Sequence, residues 1–105
     1  MKAKLIIEIN FSKKGLMRYI SHLDLLRLFR RASLRANLPL ENTRGFNPHP
    51  KISVDKAVKL GLERDDLKCK FAIKNRVEPD EFARSLQLQL PQGIIIREAK
   101  LLGDV

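Results

Sequence analysis

The sequence has one cysteine, Cys69, no tryptophan, and no run of apolar residues longer than three. A single cysteine cannot form an internal disulfide, which favours a reduced, cytoplasmic location. A membrane-spanning helix needs about twenty consecutive apolar residues, so no membrane contact is expected. Glycine-rich phosphate loops, Gly-x-Ser-x-Gly motifs and cysteine clusters are also missing from the sequence. We therefore expect no catalytic residues, no metal and no cofactor, and the chain does not look like an enzyme on its own.

Acidic residues are scarce in the first half of the chain. Residues 1–60 hold 13 basic and 4 acidic side chains, whereas residues 61–105 hold 8 of each. The net charge of +9 therefore comes entirely from the first half. Such one-sided charge favours a surface that binds a polyanion, and the alternative is a solvated basic face without a ligand. At 105 residues with 44% hydrophobic side chains, the chain is expected to form one domain, residues 1–105.

Hydrophobic periodicity predicts the order strand, helix, strand, strand, helix, strand. Strands are predicted at residues 3–11, 52–60, 67–74 and 94–101, and helices at residues 22–36 and between residue 78 and Pro91. This order is typical of the ferredoxin-like split βαβ fold, an α+β fold in which two helices cover one face of a four-stranded antiparallel sheet. With the first and third strands central, the open face would carry Lys4, Lys68, Lys70 and Lys74.

The first candidate binding group runs from a lysine-rich turn into the first predicted helix. Ser21 and Asp24 have the spacing of a helix N-cap, and Asp24 is placed to pair with Arg27 one turn later. Backbone amides at a helix start and nearby basic side chains are suited to bind phosphate groups. The alternative is a capped helix start without a ligand. The predicted contacts in this group are Lys14, Arg18, His22, Arg27, Arg31 and Arg35.

The second candidate group is the proline-rich segment at residues 39–51, which is predicted to be a long loop with at most a short strand at its start. Gly45 permits a positive φ angle, and prolines on both sides of His49 stiffen the chain. Such a loop offers cations, a stacking surface and hydrogen-bonding groups to RNA. The alternative is a hydrophobic plug with the loop phenylalanine docked on the core. The predicted contacts in this group are Arg44, Phe46, Asn47, His49 and Lys51.

The two histidines raise the question of a metal or acid–base site. His22 and Asp24 lie about 200° apart around a helix, so they do not converge on one ion. Cys69 and His49 supply no second closely spaced pair of ligands. We therefore expect no metal site, and a capped, partly buried His22 is the simpler interpretation.

Two unusual motifs carry a family resemblance: Ser21-His22-Leu23-Asp24 and Gly45-Phe46-Asn47-Pro48-His49-Pro50. Two later segments agree with it, Leu60-Gly61 and Leu90-Pro91-Gln92-Gly93-Ile94. In these residues the chain resembles the bacterial radical SAM-linked domain family of unknown function (DUF2344). The resemblance implies a radical SAM protein as partner, and the ribonuclease and ribosomal protein genes that neighbour family members favour a link to RNA. Family domains are longer, which leaves open whether residues 1–105 are a whole domain or its N-terminal part.

These observations lead to one preferred hypothesis and two alternatives. The preferred one is a non-catalytic RNA-binding accessory domain that presents structured RNA, ribosomal or transfer RNA, to a radical SAM enzyme. The first alternative is a protein interaction module that docks on that enzyme without contacting RNA. The second is a ribonuclease of ferredoxin-like fold that uses His22 and His49. The preferred hypothesis expects the early basic side chains to form one exposed patch beside His49.

Overall fold

The computed structural model describes residues 5–55 and 61–102. Its elements follow the predicted order, with one additional short 3-10 helix at Gly15–Tyr19 between the first strand and the first helix. The four strands are β1 (Leu5–Lys13), β2 (Ile52–Val54), β3 (Arg64–Ile73) and β4 (Ile94–Leu102), and the two α-helices are α1 (His22–Arg35) and α2 (Pro79–Gln87).

The strands form one antiparallel sheet in the order β2-β3-β1-β4. The first and third strands therefore take the central positions, as predicted, and the α+β ferredoxin-like fold is confirmed. β1 pairs with β4 across a bulge: Asn10 lies opposite Glu98 and Phe11 opposite Ile96, which leaves Arg97 as an extra residue on β4. A bulge of this kind increases the local twist of a sheet edge.

Alternation along the two central strands separates the two faces of the sheet. Ile7, Ile9 and Phe11 of β1 are buried, and they pair with Phe71, Cys69 and Leu67 of β3, which are buried as well. The intervening positions form the open face, where Lys68 and Lys70 are exposed. Lys74 is exposed just beyond the end of β3, while Lys4 lies outside the described residues. Lys68 and Lys70 of β3 are thus exposed on this face, at the positions that the alternation predicts.

Four phenylalanines connect the helices to the buried face of the sheet. The ring of Phe29 in α1 packs edge-on against Phe11 at 5.1 Å and against Phe71 at 5.8 Å between centroids. Phe71 makes a similar contact at 5.1 Å with Phe82 of α2. Each such contact adds about 0.5–1.5 kcal/mol beyond the apolar area that it buries. The chain of rings holds both helices on the same face.

The helix ends agree with the sequence patterns. The Ser21 hydroxyl accepts a hydrogen bond from the Asp24 N–H at 3.1 Å and caps α1. α2 begins with Pro79 in its first turn, followed by Asp80 and Glu81, whose charges favour the positive end of the helix dipole. Within the part of the chain that the structure describes, no helix is long and apolar enough to span a bilayer.

Several strand boundaries differ from the prediction, and β1 continues past Phe11 to Lys13. β3 begins at Arg64, three residues earlier than expected, because a polar Arg64-Asp65-Asp66 start can still pair with the end of β1. Of the strand predicted at residues 52–60, the described residues show Ile52–Val54 as a strand, and residues 56–60 lie outside the described residues.

Candidate nucleic-acid interface

The proline-rich segment forms a short hairpin rather than an irregular loop. The Thr43 N–H donates to the His49 carbonyl at 2.7 Å, and the Lys51 N–H donates to the Glu41 carbonyl at 2.8 Å. Between these bonds Asn42 lies directly opposite Pro50. We call residues 40–52 the edge hairpin. Pro50 is tolerated because its missing N–H falls at a position of the short ladder that requires no donor.

The edge hairpin is hydrogen-bonded to the last residues of β3. The Glu41 N–H donates to the Ala72 carbonyl at 2.8 Å, and the Ala72 N–H donates to the Lys51 carbonyl at 3.1 Å. Leu40 also forms a bridge with Ile73. These bonds hold both arms of the hairpin against the same end of β3, so its side chains have defined positions beside the open face.

Alternation along the two arms of the edge hairpin divides its side chains between two opposite sides. Leu40 and Pro50 are buried. The side chains of Glu41, Thr43, His49 and Lys51 project to the opposite side, since successive residues of a strand point to opposite faces. The sequence alone did not reveal this set, because it depends on the register between the two arms.

A cleft of about 530 Å³ lies between the edge hairpin and the open face of the sheet. Its lining includes the apolar residues Leu5, Ile6, Ile52, Ala72 and Ile73. Of these, Ile6 and Ala72 lie opposite each other on the open face and form the apolar floor of the cleft. The volume falls within the range of roughly 300–1,000 Å³ that is typical of small-molecule sites. The charged and polar side chains that line it are Glu41, Thr43, Arg44, His49, Lys51, Ser53 and Lys70.

The cleft has a cationic surface. Among its described lining residues, Arg44, Lys51 and Lys70 are basic, and Glu41 is the single carboxylate. All three basic residues are exposed and make no side-chain hydrogen bond or ion pair within residues 5–55 and 61–102. Their charges are therefore available to an anionic ligand.

His49 has a defined orientation at the cleft wall. Its backbone N–H donates to the Thr43 hydroxyl at 3.2 Å, and its ring Nδ1 lies 3.3 Å from the Pro50 carbonyl. An N–H at Nδ1 would donate to that carbonyl and leave Nε2 as an acceptor. The ring can thus offer one hydrogen-bonding nitrogen to a ligand.

Phe46 lies at the tip of the edge hairpin and is fully exposed. The alternative in which this ring docks on the hydrophobic core is therefore wrong. Arg44, Gly45 and Asn47 beside it are exposed too, and Gly45 has a φ of 124°, which only glycine adopts without strain. The hairpin tip thus presents an aromatic ring with a cation and an amide next to it.

The predicted contacts around the first turn are engaged within the protein. Lys14 forms an ion pair with Asp65 at 3.0 Å, and a hydrogen bond from Lys14 holds the pKa of the Asp65 carboxyl below its usual value. The Arg18 guanidinium donates to the Gly15 carbonyl at 2.9 Å and to the Tyr19 hydroxyl at 2.8 Å, and it lies 4.5 Å from the centre of the Tyr19 ring. These contacts make the turn a less available phosphate site than the cleft.

Lys13 of the lysine-rich turn is buried. Its ammonium donates to the Arg18 carbonyl at 3.2 Å. Burial, together with the nearby charge of Arg64, lowers the pKa of Lys13. This buried side chain therefore supports the 3-10 helix.

The arginines of α1 lie on the helical side of the sheet. Arg27 forms the predicted ion pair with Asp24, at 3.6 Å. Arg31 and Arg35 border a groove of about 320 Å³ between α1 and residues 88–91 after α2. The groove and the cleft share no lining residue. The expectation of a single basic patch beside His49 is therefore not met: Arg44 and Lys51 join His49, and Arg27, Arg31 and Arg35 do not.

The two histidines lie at different ends of the sheet. His49 lines the cleft with Leu5, at the beginning of β1. His22 is exposed at the start of α1, which follows the end of β1 after one short 3-10 helix. The two histidines therefore do not form one acid–base pair, and the ribonuclease alternative stays a prediction that rests on each histidine separately. The expected partial burial of His22 is also wrong.

Metal ligands are not clustered in the described part of the chain, where no group of three or more His, Cys, Asp or Glu residues could hold an ion. Cys69 is buried in the core between the helices and the sheet, and burial raises the pKa of its thiol well above the usual value. Its thiol is therefore suited to packing rather than to metal binding or nucleophilic chemistry.

Four charged or polar residues of the cleft were not among the predicted contacts: Glu41, Thr43, Ser53 and Lys70. Lys70 was recognisable from the basic positions that alternate along β3, because they indicate the open face. Glu41 and Thr43 join the cleft only because the edge hairpin brings them opposite Lys51 and His49.

The fold and the cleft together define a small ferredoxin-like α+β domain with a cationic, partly apolar cleft at one end of its open sheet face. The chain belongs to the bacterial family DUF2344, described as an uncharacterized protein conserved in bacteria, whose sequence model matches residues 7–104. No curated protein and no solved structure matches this chain.

Proposed function

We propose that this protein is a non-catalytic RNA-binding accessory domain that presents structured RNA to a radical SAM enzyme. The observation that carries the proposal is the cleft, in which Arg44, Lys51 and Lys70 lie beside an apolar floor. Phe46 stands fully exposed on the hairpin that borders this cleft. Cations next to a stacking ring are the combination by which proteins bind unpaired nucleotides.

The basic side chains of the cleft would bind the RNA backbone. Lys51 directly precedes β2, Lys70 lies on the adjacent strand β3, and Arg44 comes from the hairpin tip. Each would neutralise a phosphate and release a bound counterion, so that affinity falls as the salt concentration rises. Phe46 would stack on a base, and Asn47 and His49 would bind a base edge or a ribose hydroxyl.

A structured RNA would also reach the helical side of the domain. Arg31 and Arg35 are exposed there, and in the part of the chain that the structure describes they have no acidic partner. We assign an unpaired RNA segment to the cleft. Arg31 and Arg35, together with Arg27 and Arg18 nearby in sequence, would contact the phosphates of a folded RNA region. A transfer or ribosomal RNA is large enough to contact both sides.

The radical SAM partner is supported by the resemblance of the Ser21-His22-Leu23-Asp24 and Gly45–Pro50 motifs to radical SAM-linked domains. A domain without a metal cluster of its own in its described residues would supply RNA binding, and the partner would supply the chemistry.

A salt titration with a short oligonucleotide tests the proposal. A fluorescent uridine-rich pentanucleotide should bind with an affinity that falls steeply between 50 and about 200 mM salt. Lys51→Glu should weaken this binding at least tenfold, because it reverses a charge in the cleft. Arg84→Glu is the matched control, since Arg84 is exposed on α2 and borders no part of the cleft. Binding that does not depend on salt, or that both variants weaken equally, would contradict the proposal.

Full exposure of Phe46 also favours a second candidate function, docking of the hairpin tip on the partner enzyme without RNA. Phe46→Ala separates the two. If the domain is a protein module, this variant abolishes capture of the purified radical SAM partner, and the wild type fails to bind any oligonucleotide. If the domain binds RNA, Phe46→Ala weakens oligonucleotide binding, because the stacking ring contributes about 1–3 kcal/mol per base.

A further inference from the structure

Glu41 is a carboxylate in a cleft that otherwise has cationic charge. It lies directly opposite Lys51 across the edge hairpin, yet the two side chains form no ion pair. Within residues 5–55 and 61–102 the Glu41 carboxylate has no hydrogen-bond partner, although it is partly shielded from solvent. Two carboxylate oxygens therefore remain free to accept hydrogen bonds inside the cleft.

The cleft thus offers three kinds of interaction at once. Arg44, Lys51 and Lys70 attract negative charge, and the apolar floor suits a flat ring. Glu41 requires a neighbouring group that donates hydrogen bonds, because a carboxylate accepts and cannot donate. A nucleotide combines all three, with anionic phosphates, an aromatic base, and donors on the base edge.

The donor requirement discriminates between the four bases. On its Watson–Crick edge, guanine presents two adjacent donors, N1–H and the N2 amino group, which match the two oxygens of one carboxylate. Adenine and cytosine each place a ring-nitrogen acceptor beside their amino group, and uracil places carbonyl acceptors on both sides of its N–H. A bidentate contact of this type favours the matching base by about tenfold or more in affinity.

We infer that the cleft binds an unpaired guanosine of the RNA, with Glu41 as its specificity-determining residue. The inference rests on the proposed RNA-binding function and names the nucleotide that the site selects. Glu41 accepts hydrogen bonds from guanine N1–H and N2–H, the base lies on the apolar floor, and its flanking phosphates lie against Lys51 and Lys70. Specificity therefore resides in one acidic residue and affinity in the basic ones.

Five RNA pentanucleotides test this assignment, each with four uridines around a central guanosine, adenosine, cytidine, uridine or inosine. They have the same length and charge, so that phosphate contacts are equal. The guanosine probe should bind wild-type protein at least about tenfold more tightly than the adenosine, cytidine and uridine probes, as measured by fluorescence anisotropy. Inosine retains N1–H and lacks the N2 amino group, so its probe should have an intermediate affinity.

Glu41→Gln should remove the preference for guanosine while the all-uridine probe binds as well as before or better. Glu98→Gln is the matched control, because it makes the same charge change at an exposed position of β4, outside the cleft. Far-ultraviolet circular dichroism checks that both variants are folded. The inosine probe tests the same contact on unaltered protein and does not depend on any variant.

The outcomes separate this inference from the proposed function. Equal affinity for all five RNA probes would overturn the guanosine assignment and leave RNA binding standing. A preference for guanosine that persists in Glu41→Gln would overturn the role of Glu41. DNA pentanucleotides of the same sequences provide one more comparison. If they bind more weakly than the RNA probes while no base is preferred, Glu41 contacts a ribose hydroxyl, and the guanosine assignment is overturned as well. Failure of every probe to bind would overturn the proposed function itself.

Discussion

The side chain of Gln87 pairs with the backbone on both sides of Ile95 in β4. Its amide oxygen accepts a hydrogen bond from the Ile96 N–H at 2.7 Å, and its amide nitrogen donates to the Ile94 carbonyl at 2.9 Å. β4 is an edge strand of the described sheet, so these backbone groups point away from β1. Gln87 therefore takes the place of a neighbouring strand over this part of the edge.

Replacing Gln87 with methionine should destabilise the domain. Gln87→Met keeps the length of the side chain and removes both hydrogen bonds, at a cost of about 1–3 kcal/mol in the free energy of unfolding, because two partly buried backbone groups lose their partners. Urea denaturation measures this cost. Gln89→Met is the matched control, since Gln89 lies two residues further on and its side chain makes no hydrogen bond within the described residues.

The same variant should increase self-association, because an uncovered edge can pair with the edge of a second molecule. Sedimentation velocity at increasing protein concentration would detect dimers in Gln87→Met and not in Gln89→Met. A Gln87→Met protein that is as stable and as monomeric as the wild type would show that water replaces the amide without cost.

Among the four glycines in the described residues, Gly93 should be the least tolerant of substitution. Its φ is 102°, and an added Cβ would lie 2.6 Å from the Lys14 carbonyl oxygen and 2.9 Å from the Met17 side chain. The Gly93 carbonyl also accepts a hydrogen bond from the Lys14 N–H at 2.8 Å, which fixes this close approach. Gly93→Ala should lower the free energy of unfolding by about 2–4 kcal/mol, because backbone strain and overlap add.

Gly15→Ala provides the control for backbone strain alone. Gly15 has a φ of 61°, and a Cβ at that position would meet nothing within 4 Å. We expect a loss of about 1–2 kcal/mol. Thermal or urea denaturation of both variants measures the difference, and equal losses would contradict the argument that overlap with Lys14 dominates at Gly93.

The buried Lys13 should make folding stability depend on pH. Its pKa is lowered in the folded state, chiefly by burial, so the folded protein releases this proton at a lower pH than the unfolded chain does. The unfolded state therefore binds more protons between the lowered pKa and the ordinary value near 10.5, and this contribution to stability rises with pH across that window.

Lys13→Met lacks this titration and serves as the comparison. The unfolding free energies of wild type and Lys13→Met, measured by urea denaturation at several pH values from 7 to about 10, should change relative to each other in favour of the wild type as pH rises. Because the remaining titratable groups are the same in both proteins, their effects largely cancel in the difference. A difference that is constant with pH would contradict the lowered pKa.

The arginines of α1 lie apart from the cleft. We therefore expect the size of the RNA to determine which substitutions weaken its binding. Arg31→Glu should weaken binding of a folded transfer RNA severalfold and leave pentanucleotide binding unchanged, since Arg31 borders the groove between the helices. Lys51→Glu should weaken both. Filter binding at fixed salt measures all four affinities. Loss of pentanucleotide binding in Arg31→Glu would place the single-stranded site on the helical side instead.

Local patterns were sufficient to predict most of the fold. Alternation along β1 and β3 predicts strands, and the Ser21 cap and Pro79 mark the helix starts, because neighbours within a few residues dominate these choices. The 3-10 helix Gly15–Tyr19 and the Arg64 start of β3 were missed. Both depend on partners far along the chain: Gly61 donates to the Arg18 carbonyl, and Arg64 pairs with Lys13.

The candidate site was only partly readable from the chain. Arg44, Phe46, Asn47, His49 and Lys51 lie within eight consecutive residues, so a proline-stiffened binding loop could be predicted from the sequence, whereas its hairpin form could not. Composition and periodicity thus predicted an α+β domain with early basic residues, because these properties follow from residues close in sequence. Only the structure decided that Phe46 is exposed rather than docked on the core. Only the tertiary structure determined which of the charged side chains lie close together. Pairing across the hairpin places Glu41 opposite Lys51, and the sheet separates Arg31 from both, since register and layer order arise from contacts between distant segments.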